Sequence, residues 1–204
     1  MLLVSAAAAM GGHRHLAAWL RDIDAKWRAH CGKRADGTPR MTLSQQLDHM
    51  RKLSMQLAPS GLKVVYTGSG TLLNALALDD PRLLVEHAAY WATARSLEEA
   101  RYLTAVLNSA TVLAQVIPMQ PRGWRDPRHF DNLVWELPIP EFDRRQALHR
   151  ELADAAAEAE RVAALVPLRE GAHFMRQRRA IRNALAEHGI ASEIDTLVTK
   201  LLDR

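Results

Sequence analysis

The residues best equipped for chemistry in this chain are its arginines. Arg122, Arg125, Arg128 and His129 crowd one short stretch around Trp124, with Gln120 just ahead of them. Guanidinium groups at that density neutralise phosphates, and an arginine or glutamine among them reads the hydrogen-bonding edges of bases. The same composition also suits a solvated surface loop whose tryptophan packs down. A second set, Arg176, Arg178, Arg179 and Arg182, has helical spacing, with Arg178 and Arg182 one turn apart on a shared face. That set reads either as a phosphate-binding stripe or as the charged side of a solvated helix.

Other chemistries lack their parts. Gly68, Ser69 and Gly70 supply glycines after an expected strand, but not the spacing of a dinucleotide or adenosylmethionine turn. There is no phosphate loop of the Walker type. Amino-methyl transfer needs an Asn/Asp-Pro-Pro-aromatic segment, and none of Asn74, Asn108, Asn132 or Asn183 precedes a proline. Asp80 and Asp126 do precede one, but an arginine follows each time. His13 with His15, and Glu86 with His87, lack a second set of ligands at metal-site spacing, so both read as surface histidines. Glu193, Asp195 and Lys200 fall on an expected helix, not on the strand pair that nuclease chemistry uses. Cys31, the one cysteine, sits at a helix-to-loop junction and excludes an intrachain disulfide. No catalytic group, metal site or cofactor site is expected.

With 204 residues, a hydrophobic fraction of 48% and a net charge of +4, the chain has the composition of a globular protein able to bury a core. A basic balance suits a polyanionic partner without requiring one. The opening MLLVSAAAAMGG lacks the charged leader of a signal peptide and reads as the ragged start of a piece of something longer. No stretch approaches the roughly 20 apolar residues of a membrane span. The expected compartment is the cytoplasm, with no membrane partner.

The elements that must position the basic stretch follow from periodicity and punctuation. Helices are predicted over 15–30 and 43–53, and strands over 62–67, 71–78 and 84–91. Ser96 opens a helix with a capping box to Glu99. Residues 133–137 are predicted as a short strand, which Pro138 and Pro140 direct out of the sheet at its edge. From 144 to 166, Leu148, Leu152, Ala155, Ala159 and Val162 trace a narrow seam on a long helix, suited to one partner helix. A basic helix over 172–188, stopped at Gly189, and a last short one through Leu202 complete the chain. The expected fold class is α+β: a small sheet with packed helices, then a helical C-terminal part. The expected divisions are an N-terminal helical segment (1–61), an α+β core (62–143), and a helical spacer and tail (144–204).

Several short motifs then fall into a familiar order. Val85, Glu86, His87, then Tyr90, Trp91, then Glu98 to Leu103, then Leu107, Asn108, Ser109 are followed by Pro127 to Asp131, by Leu137, Pro138, Ile139, Pro140, and by an Ile194, Asp195, Thr196, Leu197, Val198 tail. This series resembles the C-terminal target-recognition region of bacterial adenine-specific DNA methyltransferases and restriction-modification enzymes. Such a region is similar to half of a type I specificity subunit. The resemblance covers 62–204 and implies a module that recognises double-stranded DNA while a separate catalytic domain or subunit binds S-adenosylmethionine and transfers the methyl group. It implies DNA contacts at Arg122, Gly123, Arg125, Arg128 and His129, with Gln120, Trp124, Arg178 and Arg182 added from the residue reading. The Leu-Asn-Ser and Leu-Pro-Ile-Pro segments are expected to set the architecture, with Asn108 bonding to backbone. The alternatives are a non-enzymatic interaction domain that assembles through the 144–166 helix, as a dimer or with another protein, and a remnant of a truncated methyltransferase.

Overall fold

A computed structural model describes residues 11–57, 62–121 and 128–203 of the chain. They fall into two units, 1–59 and 60–204. In the first, helix α1 (Arg14–His30) buries Ala17 and Leu20, and the Trp27 indole donates to the Met41 carbonyl at 2.8 Å. Helix α2 (Leu43–Leu47) opens with a capping box between Thr42 and Gln45. The sequence predicts this helix through residue 53; it stops six residues sooner. The Asp48 carboxylate takes the backbone N–H groups of Leu53 and Ser54 at 3.0 and 2.9 Å, and Met50 and Arg51 turn through positive φ. A short acidic side chain here outcompetes the helical ladder for backbone donors.

The second unit is built on an antiparallel sheet in the order β2-β1-β3, made of β1 (Lys63–Thr67), β2 (Ala75–Leu78) and β3 (Ala89–Thr93). Together with its helices this makes the fold class α+β. The sequence predicts all three strands, but β2 and β3 begin later than their predicted starts. The Thr67 hydroxyl donates to the Leu72 carbonyl and accepts from the Asn74 amide, which occupies the chain ahead of β2. Ahead of β3, the Lys63 ammonium donates to the Leu83 carbonyl and the Glu86 carboxylate accepts from the Ala88 amide. The strand predicted over 133–137 is instead a 3₁₀ turn, Leu133–Glu136. Both sides of β1 are already taken, and local bonds from Leu133 to the Phe130 carbonyl and from Trp135 to the Asn132 carbonyl consume its backbone.

Helix α3 (Leu97–Asn108) is capped by the Ser96 hydroxyl, which accepts from the Glu99 amide at 3.1 Å. The reciprocal half of the expected capping box is diverted: the Glu99 carboxylate binds the backbone and guanidinium of Arg95 instead. At Ser109 the helix breaks by 62° into α4 (Ala110–Val116). No single helix among the described residues is long and apolar enough to cross a membrane; only this bent pair has the composition, and its apolar residues are largely buried in the core.

Helix α5 (Ala147–Leu165) lies along α3, and its Leu148, Leu152, Ala155 and Val162 are buried. The narrow seam is therefore filled from within the chain, by α3 and by the last helix, α7 (Ile190–Leu202). Between them, α6 (Phe174–Glu187) buries no residue fully, and Gly189 at φ 74° makes the left-handed step into α7. Sheet and spacer thus share one core.

Polar side chains close that core. Asn108 accepts from the Ala75 amide at 2.9 Å and donates to the carbonyls of Ala75 (2.8 Å) and Thr104 (2.9 Å), imitating a further strand along the edge of β2. Asp195 on α7 accepts from the Ala110 amide at 2.7 Å at the start of α4. The Tyr102 hydroxyl donates to the Pro140 carbonyl at 2.9 Å, fixing the exit toward α5. Replacing Asn108 by Ala removes three hydrogen bonds, two of them near solvent. The expected cost is about 1–2 kcal/mol of unfolding free energy, read as a lower urea midpoint at unchanged m-value; a midpoint equal to the wild type contradicts the role.

Candidate nucleic-acid interface

The two described ends of the basic stretch meet at the tip of the β1–β2 hairpin. Its outgoing end is Gln120, which is 6% exposed, and whose amide donates to the carbonyls of Gly70 (3.4 Å) and Arg128 (3.3 Å). The returning end pairs with the hairpin: Ser69 and His129 form an antiparallel bridge, the Gly70 amide donates to the Arg128 carbonyl at 2.8 Å, and the Phe130 amide to the Gly68 carbonyl at 3.0 Å. Phe130 is fully buried and anchors the stem in the core. Burying such a ring contributes about 2–3 kcal/mol.

Two glycines make this closure possible. A Cβ on Gly68 would meet the Ala88 carbonyl oxygen at 2.7 Å and the Tyr90 ring at 3.1 Å. Gly70 has φ 126°, a conformation that side chains disfavour. The Gly68, Ser69, Gly70 turn, which failed as a cofactor loop, serves as the seat of the basic loop.

Beneath the returning stem lies an aromatic and polar cluster. Tyr66 and Tyr90, neighbours across β1 and β3, stack at 5.8 Å, and Trp135 meets Tyr66 edge-on at 5.8 Å. The Trp135 indole donates to the Tyr66 hydroxyl at 3.0 Å, and that hydroxyl donates to the Asp131 carbonyl at 2.9 Å. The Tyr90 hydroxyl donates to the Asp131 carboxylate. Asp131 has φ 37°, a left-handed backbone that costs a non-glycine residue about 1 kcal/mol. Two tyrosine hydroxyls from adjacent strands hold it there.

The expected contact residues therefore separate. Arg122, Gly123, Trp124 and Arg125 lie outside the described residues. Arg128 is exposed and His129 half-exposed, side by side on the stem, with His129 Nδ1 4.0 Å from Asp131 Oδ1. Gln120 is a buried structural donor, its amide spent on backbone carbonyls. Arg178 and Arg182 do share a face of α6, but that face is half-buried against the body, while Arg176 and Arg179 are exposed. Arg182 Nη1 is out of contact with water and has no hydrogen-bond partner among the described residues. Helix α6 packs on α5 and α7.

Sequence reasoning missed Tyr66, Tyr90, Asp131 and Trp135 as a unit. They come from two strands, a stem and a turn up to 69 residues apart, and no local spacing links them. Among the described residues no group of three or more His, Cys, Asp or Glu side chains is placed to hold a metal. Comparison with protein-family models, with curated proteins and with solved structures returns no match.

The cluster also sets how its tyrosines titrate. Burial holds the Tyr66 hydroxyl above its usual value of 10, and the hydrogen bond to Asp131 does the same for Tyr90. Burial raises Tyr102, the chain's third and last tyrosine, further still. Each raised value means the neutral phenol is favoured by the folded state. The resulting stability is intact below pH 10 and is lost as pH rises through the folded values. In a spectrophotometric titration of the folded protein, each tyrosine is expected to reach its midpoint above pH 10, with the unfolded chain half-ionised near 10. One equivalent with its midpoint at or below 10 in the folded protein contradicts this packing of the three tyrosines.

Proposed function

We propose that residues 62–204 act as a DNA sequence-recognition module, belonging to or working with an adenine-specific DNA methyltransferase of a restriction-modification system. The observation that carries this reading is the clasp at the base of the basic stretch. Both ends of residues 120–129 are tied to the glycine-bearing hairpin tip, and Arg128 and His129 stand at the surface of that clasp. A recognition loop on a rigid stem loses less conformational entropy on binding than a free one.

The motifs named by the resemblance support the reading through their roles. Asn108 joins α3 to β2, the Pro140 carbonyl joins the exit toward α5 to α3, and Asp195 joins α7 to α4, as architectural segments of such a module would. The interaction-domain alternative loses its main feature, since the Leu/Ala seam is buried inside the chain. In the proposed division of labour, arginines from the 122–128 stretch bind phosphates and loop side chains read a groove. Adenine flipping, S-adenosylmethionine binding and methyl transfer take place in the associated catalytic domain or subunit, in the cytoplasm.

Binding of mixed-sequence duplexes is expected to fall steeply with salt, as counterions are released. Arg128→Glu should weaken binding to every duplex alike and flatten the salt slope by about one unit or more. Fluorescence anisotropy across a salt series reads both. No wild-type binding at low salt, alone or with a catalytic partner, sinks the proposal.

A further inference from the structure

A carboxylate on the basic stem is costly if the stem only holds phosphates. Asp131 lies three residues from exposed Arg128, beside His129, with its side chain 48% exposed. A negative charge there repels the DNA backbone and lowers non-specific affinity. As the hydrogen-bond acceptor for Tyr90, or as a residue at ease with a left-handed backbone, an asparagine would serve as well. What asparagine lacks is a group that only accepts.

That acceptor is also oriented. The Tyr66 hydroxyl fixes the Asp131 carbonyl at 2.9 Å, and the Tyr90 hydroxyl occupies Oδ1. Among the described residues nothing donates to Oδ2. Phe130, fully buried, stops the stem from shifting along the hairpin. The side chain is thus held by one oxygen, on a rigid backbone, with the other oxygen left for a donor from outside.

We infer that Asp131 is a specificity-determining residue that accepts a hydrogen bond from the exocyclic amino group of one base, cytosine N4 or adenine N6, in the major groove. The inference rests on the recognition-module reading. In that groove amino groups are donors, while guanine O6 and thymine O4 are acceptors. A carboxylate accepts from the first pair and is repelled by the second. The charge therefore works in two ways, admitting an amino-bearing base and lowering the affinity of every site that offers a keto group instead.

Selection from a pool of randomised duplexes tests this, using the full chain and two variants. The wild type should enrich one short motif with an amino-bearing base at one position, and the enriched base identifies cytosine or adenine. Asp131→Asn presents both a donor and an acceptor, so discrimination at that position should fall about tenfold. The remainder of the motif should persist, with equal or tighter binding to unrelated duplexes. Tyr90→Phe keeps the charge but frees Oδ1, and should blur the same position and no other. If Asp131→Asn loses its fold, Tyr90→Phe decides alone. A full wild-type motif retained by the folded variants overturns the inference and leaves the module reading standing. A wild-type chain that binds no duplex overturns the module reading, and the inference with it.

Discussion

The second unit depends on the break between α3 and α4. Asn108 and Ser109 end one helix and start the next in two consecutive residues. The Ser109 hydroxyl donates to the Val106 carbonyl at 2.8 Å and accepts from the Val112 amide at 3.1 Å, so one side chain caps both helices. A straight helix would carry the chain away from the sheet. The 62° bend instead keeps Val112 and Val116 in the same core as Val64 and Tyr66. Asn108 then ties the bend to β2, and Asp195 ties it to α7. The buried Ser109 hydroxyl is paired locally, as a buried polar group must be, while Asn108 and Asp195 join elements distant in sequence.

The clasp at the hairpin tip inherits its rigidity from this arrangement. β1 carries Tyr66 into the core on one face and ends in the glycine turn that seats the basic loop. Because β1 is the central strand, with β2 fixed by Asn108 on one side and β3 supplying Tyr90 on the other, the stem rests on the best-supported part of the sheet. A surface that reads base edges needs its side chains held to within a fraction of an ångström. Two tyrosine hydroxyls, a buried phenylalanine and a buried glutamine hold the stem in the way the proposed DNA-reading role requires.

Much of this was legible in the residues. Ser96 marks a helix start, the β-branched and aromatic run closed by Gly68 marks β1, and the Leu/Ala seam marks the buried face of α5. The displaced element ends share one physical cause: side chains that capture backbone groups. Asp48 ends α2 early, Thr67 delays β2, Glu86 and Lys63 occupy the chain before β3, and Glu99 turns from Ser96 to Arg95. Periodicity counts apolar residues and does not register such competition. The turn at 133–136 is a different case. Its β-like composition is real, but β1 offered no free edge for it. The site was legible only in its charge. The burial of Gln120 depends on Gly70 and Arg128 coming together, which no local pattern shows, and the tyrosines that orient Asp131 lie far back in the chain.

The claim that joins fold to function is that DNA meets the chain at the hairpin tip and the stem of the basic loop. Amide chemical shifts followed during titration with a duplex test it residue by residue. The account predicts that the largest shifts fall on Gly68, Ser69, Gly70 and on Arg128 to Asp131, with α3 and α5 scarcely moved. Shifts concentrated on α6, on α1, or spread evenly over the surface would contradict it.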